Sequence, residues 1–320
     1  MSKPKPPSDH HYIPKFYLKN WTLDDGRLCQ FSIPHGNAVK PKRVHPTQTG
    51  WCKNLYTLSD FPEELKQQVE QDYLRLLDGR AAEANSILCS PTGLVDLSPR
   101  HRAAWTQFCL SLMTRMPEDM QAARKAIELS HQRPPEELRK SIESIDSIRS
   151  KDHPLSAEEI LALLEKSDRE TALFDAFMAS HVGNKATSWY YSLTWHMIDF
   201  SNQPMSLLTS DRPFVRFFGS DSRSVTWALP ISPSRLFIAT PNRKYGFQPR
   251  DHCEIEIIKA LCGSKKRLLK TMNKCVTQQA IKYVYSSDDA ELQFVSKHFG
   301  KKQESDRPAQ MMLASLGVRE

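Results

Sequence analysis

The apolar positions of this chain change period twice. Between residues 10 and 60 they fall in short runs broken by turn residues. "LDDGRLCQFSI" places an Asp-Gly turn between apolar runs, the usual punctuation of a hairpin, and "PHGNAV" supplies a second turn. "TGWCKNLYTL" reads as a further strand, with Trp51, Leu55 and Tyr56 available for burial. From Pro62, which suits a first helical turn after Ser59-Asp60, the period lengthens to that of a helix. Leu65, Val69, Tyr73, Leu76 and Ile87 share one stripe, Glu83 projects into it and Glu70 borders it. A carboxylate aimed at a core needs a partner, so Glu83 is expected in a structural ion pair. Ser98-Pro99 opens a second helix whose apolar face is Trp105, Phe108, Cys109, Leu112, Met113 and Met116. Arg102 lies near the edge of that face and Arg115 well away from it, and Met116-Pro117 ends or kinks the helix. Helical spacing continues to about residue 192, and "RPPEELRKSIESIDSIRS" is polar enough to protrude.

Beyond residue 192 the runs shorten again. "SLTWHMIDF", "LLTSDRPFVRFF", "SVTWALPISPSRLFIAT" and "IKYVYSS" are β-branched or aromatic and bounded by Pro and polar turns. "LPISPSRLFI" predicts two strands joined through Ser-Pro-Ser. One helix, about 260 to 280, carries Leu261, Leu268, Leu269 and Met272. The order β, α, β predicts an α+β fold: N-terminal and C-terminal strands forming a mixed sheet, with a largely helical middle packed on it. The expected organisation is a tail over 1–9, one domain over 10–300 and a second tail over 301–320. Within the domain, 10–60 and 193–300 are β-rich and 61–192 helical. "MMLASL" in the second tail has the pattern of a short docking helix.

Composition narrows the class. With 25% charged and 39% hydrophobic residues in 320, the chain is ordinary for a soluble globular protein with a sizeable core. No apolar run approaches the roughly 20 residues that span a bilayer. The opening "MSKPKPPSDHHY" has charge but no apolar stretch, so no secretory signal is read and no membrane association is expected. Seven scattered cysteines without CxxC pairs point to reduced thiols and a cytoplasmic location. The net charge of +7 favours polyanions, and much of it lies in "GSKKRLLKTMNK" and "KHFGKK", which read either as a solvated face or as a phosphate-binding surface.

Two stretches carry candidate chemistry. In "SDHHYIPKFYLKNWT", neighbouring side chains of an extended segment point to opposite faces, so only one of His10 and His11 can meet a given cleft. Phe16, Tyr17, Leu18 and Trp21 follow at helical spacing and are expected to anchor the segment. In "LLTSDRPFVRF", an apolar run delivers Asp211 at its end, where a carboxylate serves as metal ligand, base or orienting group. The alternative is an Asx-type turn in which Asp211 binds backbone N–H groups. Phosphate-loop, dinucleotide, HExxH and GxSxG motifs are absent.

Taken together, "HHYIPKFYLKNW", "NLYTL", "VEQDYLRLLDGRAAEA", "LLTSDRPFV" with "WALPISPSRLFI", and "MNKCVTQQAIKYVYSS" resemble, in order, the bacterial proteins grouped as domain of unknown function 4238. The resemblance covers roughly residues 9 to 287. It departs at Asp78, where a second helical glutamate falls, at Arg212 for Asn and at Trp21 for Phe. It brings no activity, but it selects His10, His11, Asn54, Tyr56, Glu70, Ser210 and Asp211.

The expectation that follows is a hydrolase of nucleic-acid or nucleotide phosphodiesters, a nuclease-like effector in phage defence or bacterial conflict. His10, His11, Asp211 and Glu70 are its candidate catalytic residues. Asp211 and Glu70 are also candidate ligands for a divalent cation, Mg²⁺ or Mn²⁺. Lys15, Asn54, Tyr56, Ser210 and Arg212 are candidate substrate contacts. The alternative is a non-catalytic nucleic-acid-binding or sensing protein that uses the basic helix at Lys265, Lys266 and Arg267.

Overall fold

The structure, a computed structural model, describes residues 9–57, 66–67, 69–132, 185–218, 225–241 and 264–301. The chain enters as β1 (Asp9–His11), which pairs antiparallel with β4 (Trp51–Lys53), His10 opposite Cys52. Pro14, extended and without an N–H, leads into α1 (Lys15–Leu18), which tightens into a 3-10 turn over Lys19–Trp21. Tyr17, Leu18 and Trp21 are fully buried, and Phe16 packs against Phe108 at 5.2 Å between ring centroids. Their polar ends reach strands almost 200 residues away. The Tyr17 hydroxyl donates to the Pro230 carbonyl at 2.6 Å and Trp21 Nε1–H to that of Leu207 at 2.9 Å. Burial of each such ring stabilises by about 1.5–3 kcal/mol, so this segment is an anchor.

The strands form separate antiparallel sheets where a single mixed sheet was expected. β2 (Leu28–Ser32) and β3 (Lys40–Val44) make a hairpin, and β10 (Val284–Ser286) joins β2 to β6 (Thr209–Ser210) in the order β3-β2-β10-β6. The second four-stranded sheet contains β5 (Thr194–Asp199), β7 (Val215–Phe218), β8 (Val225–Ser232) and β9 (Arg235–Thr240), in the order β5-β9-β8-β7. The close turn at Pro233-Ser234 allows only antiparallel pairing of β8 with β9, and the other ladders among the described residues are antiparallel as well. The Asp-Gly turn has another use than the hairpin expected of it. Gly26, at φ +70°, turns the chain from the 3-10 segment into β2, and the hairpin itself closes through residues 33–39.

The helices frame these sheets. A π-helical turn over Val69–Leu74 precedes α2 (Arg75–Cys89), and α3 (Pro99–Ser111) starts on the Ser98 cap, whose Oγ accepts the His101 N–H. α4 (Pro117–Gln132), α5 (Lys185–Ser192), α6 (Lys265–Gln278) and α7 (Leu292–His298) follow. The wider π turn rotates the helix, so the buried stripe of α2 is Leu77, Ala81, Ala84, Asn85 and Leu88. Leu76 is therefore 56% exposed, and Glu83, 62% exposed at its side chain, meets His101 at 3.6 Å on the surface.

Alternation along β9 divides the core. Phe237 and Ala239 join Trp105, Phe108 and Trp195, while Leu236 and Ile238 join Leu268, Leu269 and Met272 of α6. The second sheet is thus covered on both faces. No helix among the described residues is long and apolar enough to cross a membrane. The helix start at Pro62, the polar segments of 134–184, Leu261 and "MMLASL" lie outside the described residues.

Candidate functional site

The two histidines part company, as extended neighbours must. His10 is fully buried, its Nδ1 accepts the Tyr56 backbone N–H at 3.0 Å, and the two rings stack at 5.5 Å, within 4° of parallel. An Nδ1 that accepts leaves the neutral ring's proton on Nε2. Tyr56, also buried, donates its hydroxyl to the Arg115 carbonyl at 2.6 Å. Burial raises the Tyr56 phenol well above its ordinary range, so it stays a donor.

Arg115 is the residue that sequence reasoning missed. Placed well away from the apolar face by helical spacing, it is 0% exposed. α3 ends at Ser111, and the following turn swings Arg115 inward, where it forms a bidentate pair with Asp78 at 2.9–3.0 Å. The period break ahead of Pro117 was the available signal. Asp78, the departure from the family's glutamate, supplies the carboxylate that this guanidinium requires. Burial pushes Asp78 up to about 6, and Arg115 opposes the rise.

Beside this pair stands Glu70, on the π turn. It is half-buried, its Oε2 is shut off from solvent and has no hydrogen-bond partner. Burial pushes its carboxyl up to about 7. Arg115 and Lys15 pull it down, while Asp78 pushes it further up. Lys15, exposed on α1, also acts on His11. Burial first, and that ammonium second, lower the half-buried His11 imidazole to about 4, against hydrogen bonds with the Thr47 and Asp9 backbone. The His11 Nε2 is buried without a partner. The Lys15 charge thus acts on both Glu70 and His11, each of which keeps one buried polar atom, Oε2 and Nε2, without a partner.

The second sequence candidate is put to another use. Asp211 is fully buried in a turn after β6, and its two oxygens accept the backbone N–H groups of Ile281, Lys282 and Tyr283. Its own N–H donates to the Tyr283 carbonyl at 2.9 Å. Burial pushes its carboxyl up to about 6, although the three N–H donors favour the ion. The Asx alternative thus had the right donors in kind but placed them locally, whereas they come from 70 residues further on. In the opening segment the Asp211 charge acts on Tyr12, adding to burial in raising its phenol. The buried Ser210 Oγ accepts the Arg212 N–H at 3.1 Å. The Arg212 guanidinium binds Asp119 at 3.0 Å and Glu118 at 3.3 Å, so its charge is matched inside the protein. Asn54 is exposed at φ +52°, a left-handed turn conformation that Asn tolerates, and its carbonyl accepts the Thr57 N–H.

A cation held between Asp211 and Glu70 does not fit this arrangement. Both Asp211 oxygens are engaged by N–H groups, and the charges acting on Glu70 are Arg115, Asp78 and Lys15. Among the described residues, no group of three or more His, Cys, Asp and Glu side chains comes together as a metal site.

The model of one family, described as a protein of unknown function, matches residues 9–290, nearly the whole described chain. The chain belongs to DUF4238. No curated protein and no solved structure matches it. The stretches through which the chain resembles DUF4238 fall into two structural ties. One joins His10, Tyr56 and Arg115, and the other joins Asp211 to the 281–283 turn. Outside these ties, Glu70 and His11 each keep one buried side-chain atom without a partner, Oε2 and Nε2.

Proposed function

We propose that this protein is a hydrolase of nucleic-acid or nucleotide phosphodiesters, with Glu70 as general base, Lys15 as phosphate contact and His11 as a neutral hydrogen-bonding neighbour. The observation that carries this reading is the half-buried Glu70 carboxyl, which burial pushes up to about 7 while the Arg115 and Lys15 charges pull it down. A base works best when its pKa lies near the working pH. Lys15 neutralises charge on the scissile phosphate as it arrives. Ionised Glu70 takes a proton from water as the water oxygen bonds to phosphorus. The phosphorus–oxygen ester bond breaks, and Glu70 returns the proton to the leaving oxygen. Phosphate on Lys15 also cancels the ammonium that depresses His11, so the imidazole becomes a better acceptor as substrate binds. No step is routed through Mg²⁺ or Mn²⁺. The net charge of +7 supports a polyanionic substrate, and the thiols of Cys29, Cys52, Cys89 and Cys109, none in a disulfide, support work in the reducing cytoplasm.

The test is incubation of the purified chain with RNA, single- and double-stranded DNA and nucleotides, in EDTA or in Mg²⁺ or Mn²⁺, beside Glu70→Gln and Lys15→Ala. Turnover that either substitution removes from a folded protein supports the reading. Turnover that both variants retain overturns it.

A second reading, binding without catalysis, is favoured by α6 and α7. Lys266, Lys270, Lys274, Lys297 and Lys301 are exposed there, and Lys274, Lys297 and Lys301 act together on His298, adding to burial in lowering its pKa. This reading predicts a nucleic-acid complex that weakens steeply with salt and survives Glu70→Gln.

A further inference from the structure

The far end of α2 borders a pocket and carries a polar group that the fold does not satisfy. Phe16, Lys19 and Asn20 of the N-terminal segment face Ala82, Asn85 and Ser86 across an open pocket of about 320 Å³. Asn85 is only 4% exposed, yet its Oδ1 has no hydrogen-bond partner. An orphan amide in a native interior requires an explanation, because leaving it unmade costs about 1–3 kcal/mol. Asn20 differs, since its Nδ2 donates to the Ile231 carbonyl at 2.6 Å.

From these residues we infer a binding site for a nucleoside monophosphate. Lys19 is exposed at the rim and no acidic side chain is among the lining residues, so the pocket selects an anion. An amide presents a donor and an acceptor side by side, the pattern with which Asn reads a nucleobase edge. Phe16 and Ala82 offer an apolar wall to a flat ring, and Ser86 an exposed hydroxyl to the sugar. The volume is at the small end of ligand clefts, about 300–1,000 Å³, which fits one nucleotide. Glu70 lies 15 positions back along the chain, on the π turn that precedes α2, and neither it nor Lys15 or His11 lines this pocket.

Isothermal titration calorimetry on the full chain tests this, with AMP, GMP, CMP, UMP and inorganic phosphate as probes. The expected result is saturable binding of at least one nucleotide and at least tenfold weaker binding of phosphate. Asn85→Leu and Lys19→Glu should each weaken nucleotide binding at least tenfold, and Glu70→Gln should leave it unchanged. Asn85→Leu breaks no hydrogen bond at Oδ1 and should fold. Lys19→Glu alters only the surface and carries the test if Asn85→Leu does not fold. Saturation by no nucleotide, binding that both substitutions spare, or phosphate binding as tight as nucleotide binding would each overturn the assignment.

Discussion

Tyr56 holds His10 by two contacts at once, its backbone N–H on Nδ1 at 3.0 Å and its ring stacked on the imidazole at 5.5 Å. The pair ties β1 to the turn after β4, and the Tyr56 hydroxyl extends the tie to the end of α3 through the Arg115 carbonyl. His10 thereby fastens β1 to the frame, and His11, its neighbour on the strand, points to the opposite face.

His10→Ala should therefore destabilise the protein whatever it does to activity. It removes a buried ring and strands the Tyr56 N–H, for a loss of about 2–4 kcal/mol. Denaturant unfolding measures it. A change below about 0.5 kcal/mol would contradict the structural role.

Asp211 makes a similar prediction with a sharper contrast. Asp211→Ala leaves three part-buried N–H groups without their acceptor and should cost about 3 kcal/mol. Any variant that remains folded at low temperature, such as Asp211→Asn, should keep phosphodiester turnover within about tenfold of the parent, because a positioning loss is smaller than removal of an acid–base group. Complete inactivity of a folded Asp211→Asn would return this carboxylate to the chemistry.

Arg115→Leu should cost about 3–5 kcal/mol, since it abandons the Asp78 carboxylate inside the protein. Arg115→Leu with Asp78→Leu should recover most of that loss. A double variant no more stable than the single one would show that the guanidinium matters for something other than this pair.

The sign of the Glu70 shift predicts a pH dependence. Its folded pKa, about 7, is above the ordinary value of 4.5. The folded state therefore binds more protons between pH 4.5 and 7, and its stability falls as pH rises through that window. Glu70→Gln cannot ionise and escapes the fall. The variant should gain stability relative to the parent between pH 4.5 and pH 8, as read by chemical unfolding at each pH. A constant difference would mean that Glu70 is not raised.

Much of the local architecture was legible because its causes are local. Ser98-Pro99 begins a helix through a cap, Pro233-Ser234 closes a hairpin, and Tyr17, Leu18 and Trp21 fall on one buried face. Three features were not legible. The π turn at 69–74 adds to the helical period and moves Glu83 and Leu76 outward, which fixed 3.6-residue spacing does not foresee. Arg115 turns inward because α3 stops four residues before it, and a boundary is the least certain part of a helix to place. The partners of Asp211 lie some 70 residues away, and only tertiary packing brings them there. Among the family-like residues, His10, Tyr56, Ser210 and Asp211 hydrogen-bond within the fold, and sequence pattern does not foresee partners that packing brings from distant segments.

The most direct measurement is the pH profile of kcat/KM for phosphodiester cleavage by the parent and by Glu70→Gln. The account predicts a rate that rises with pH through about 7 as Glu70 ionises, and a Glu70→Gln variant slower by about 10²–10⁴-fold that lacks that rise. The same limb in both proteins, or no cleavage of any phosphodiester by the parent, would contradict it.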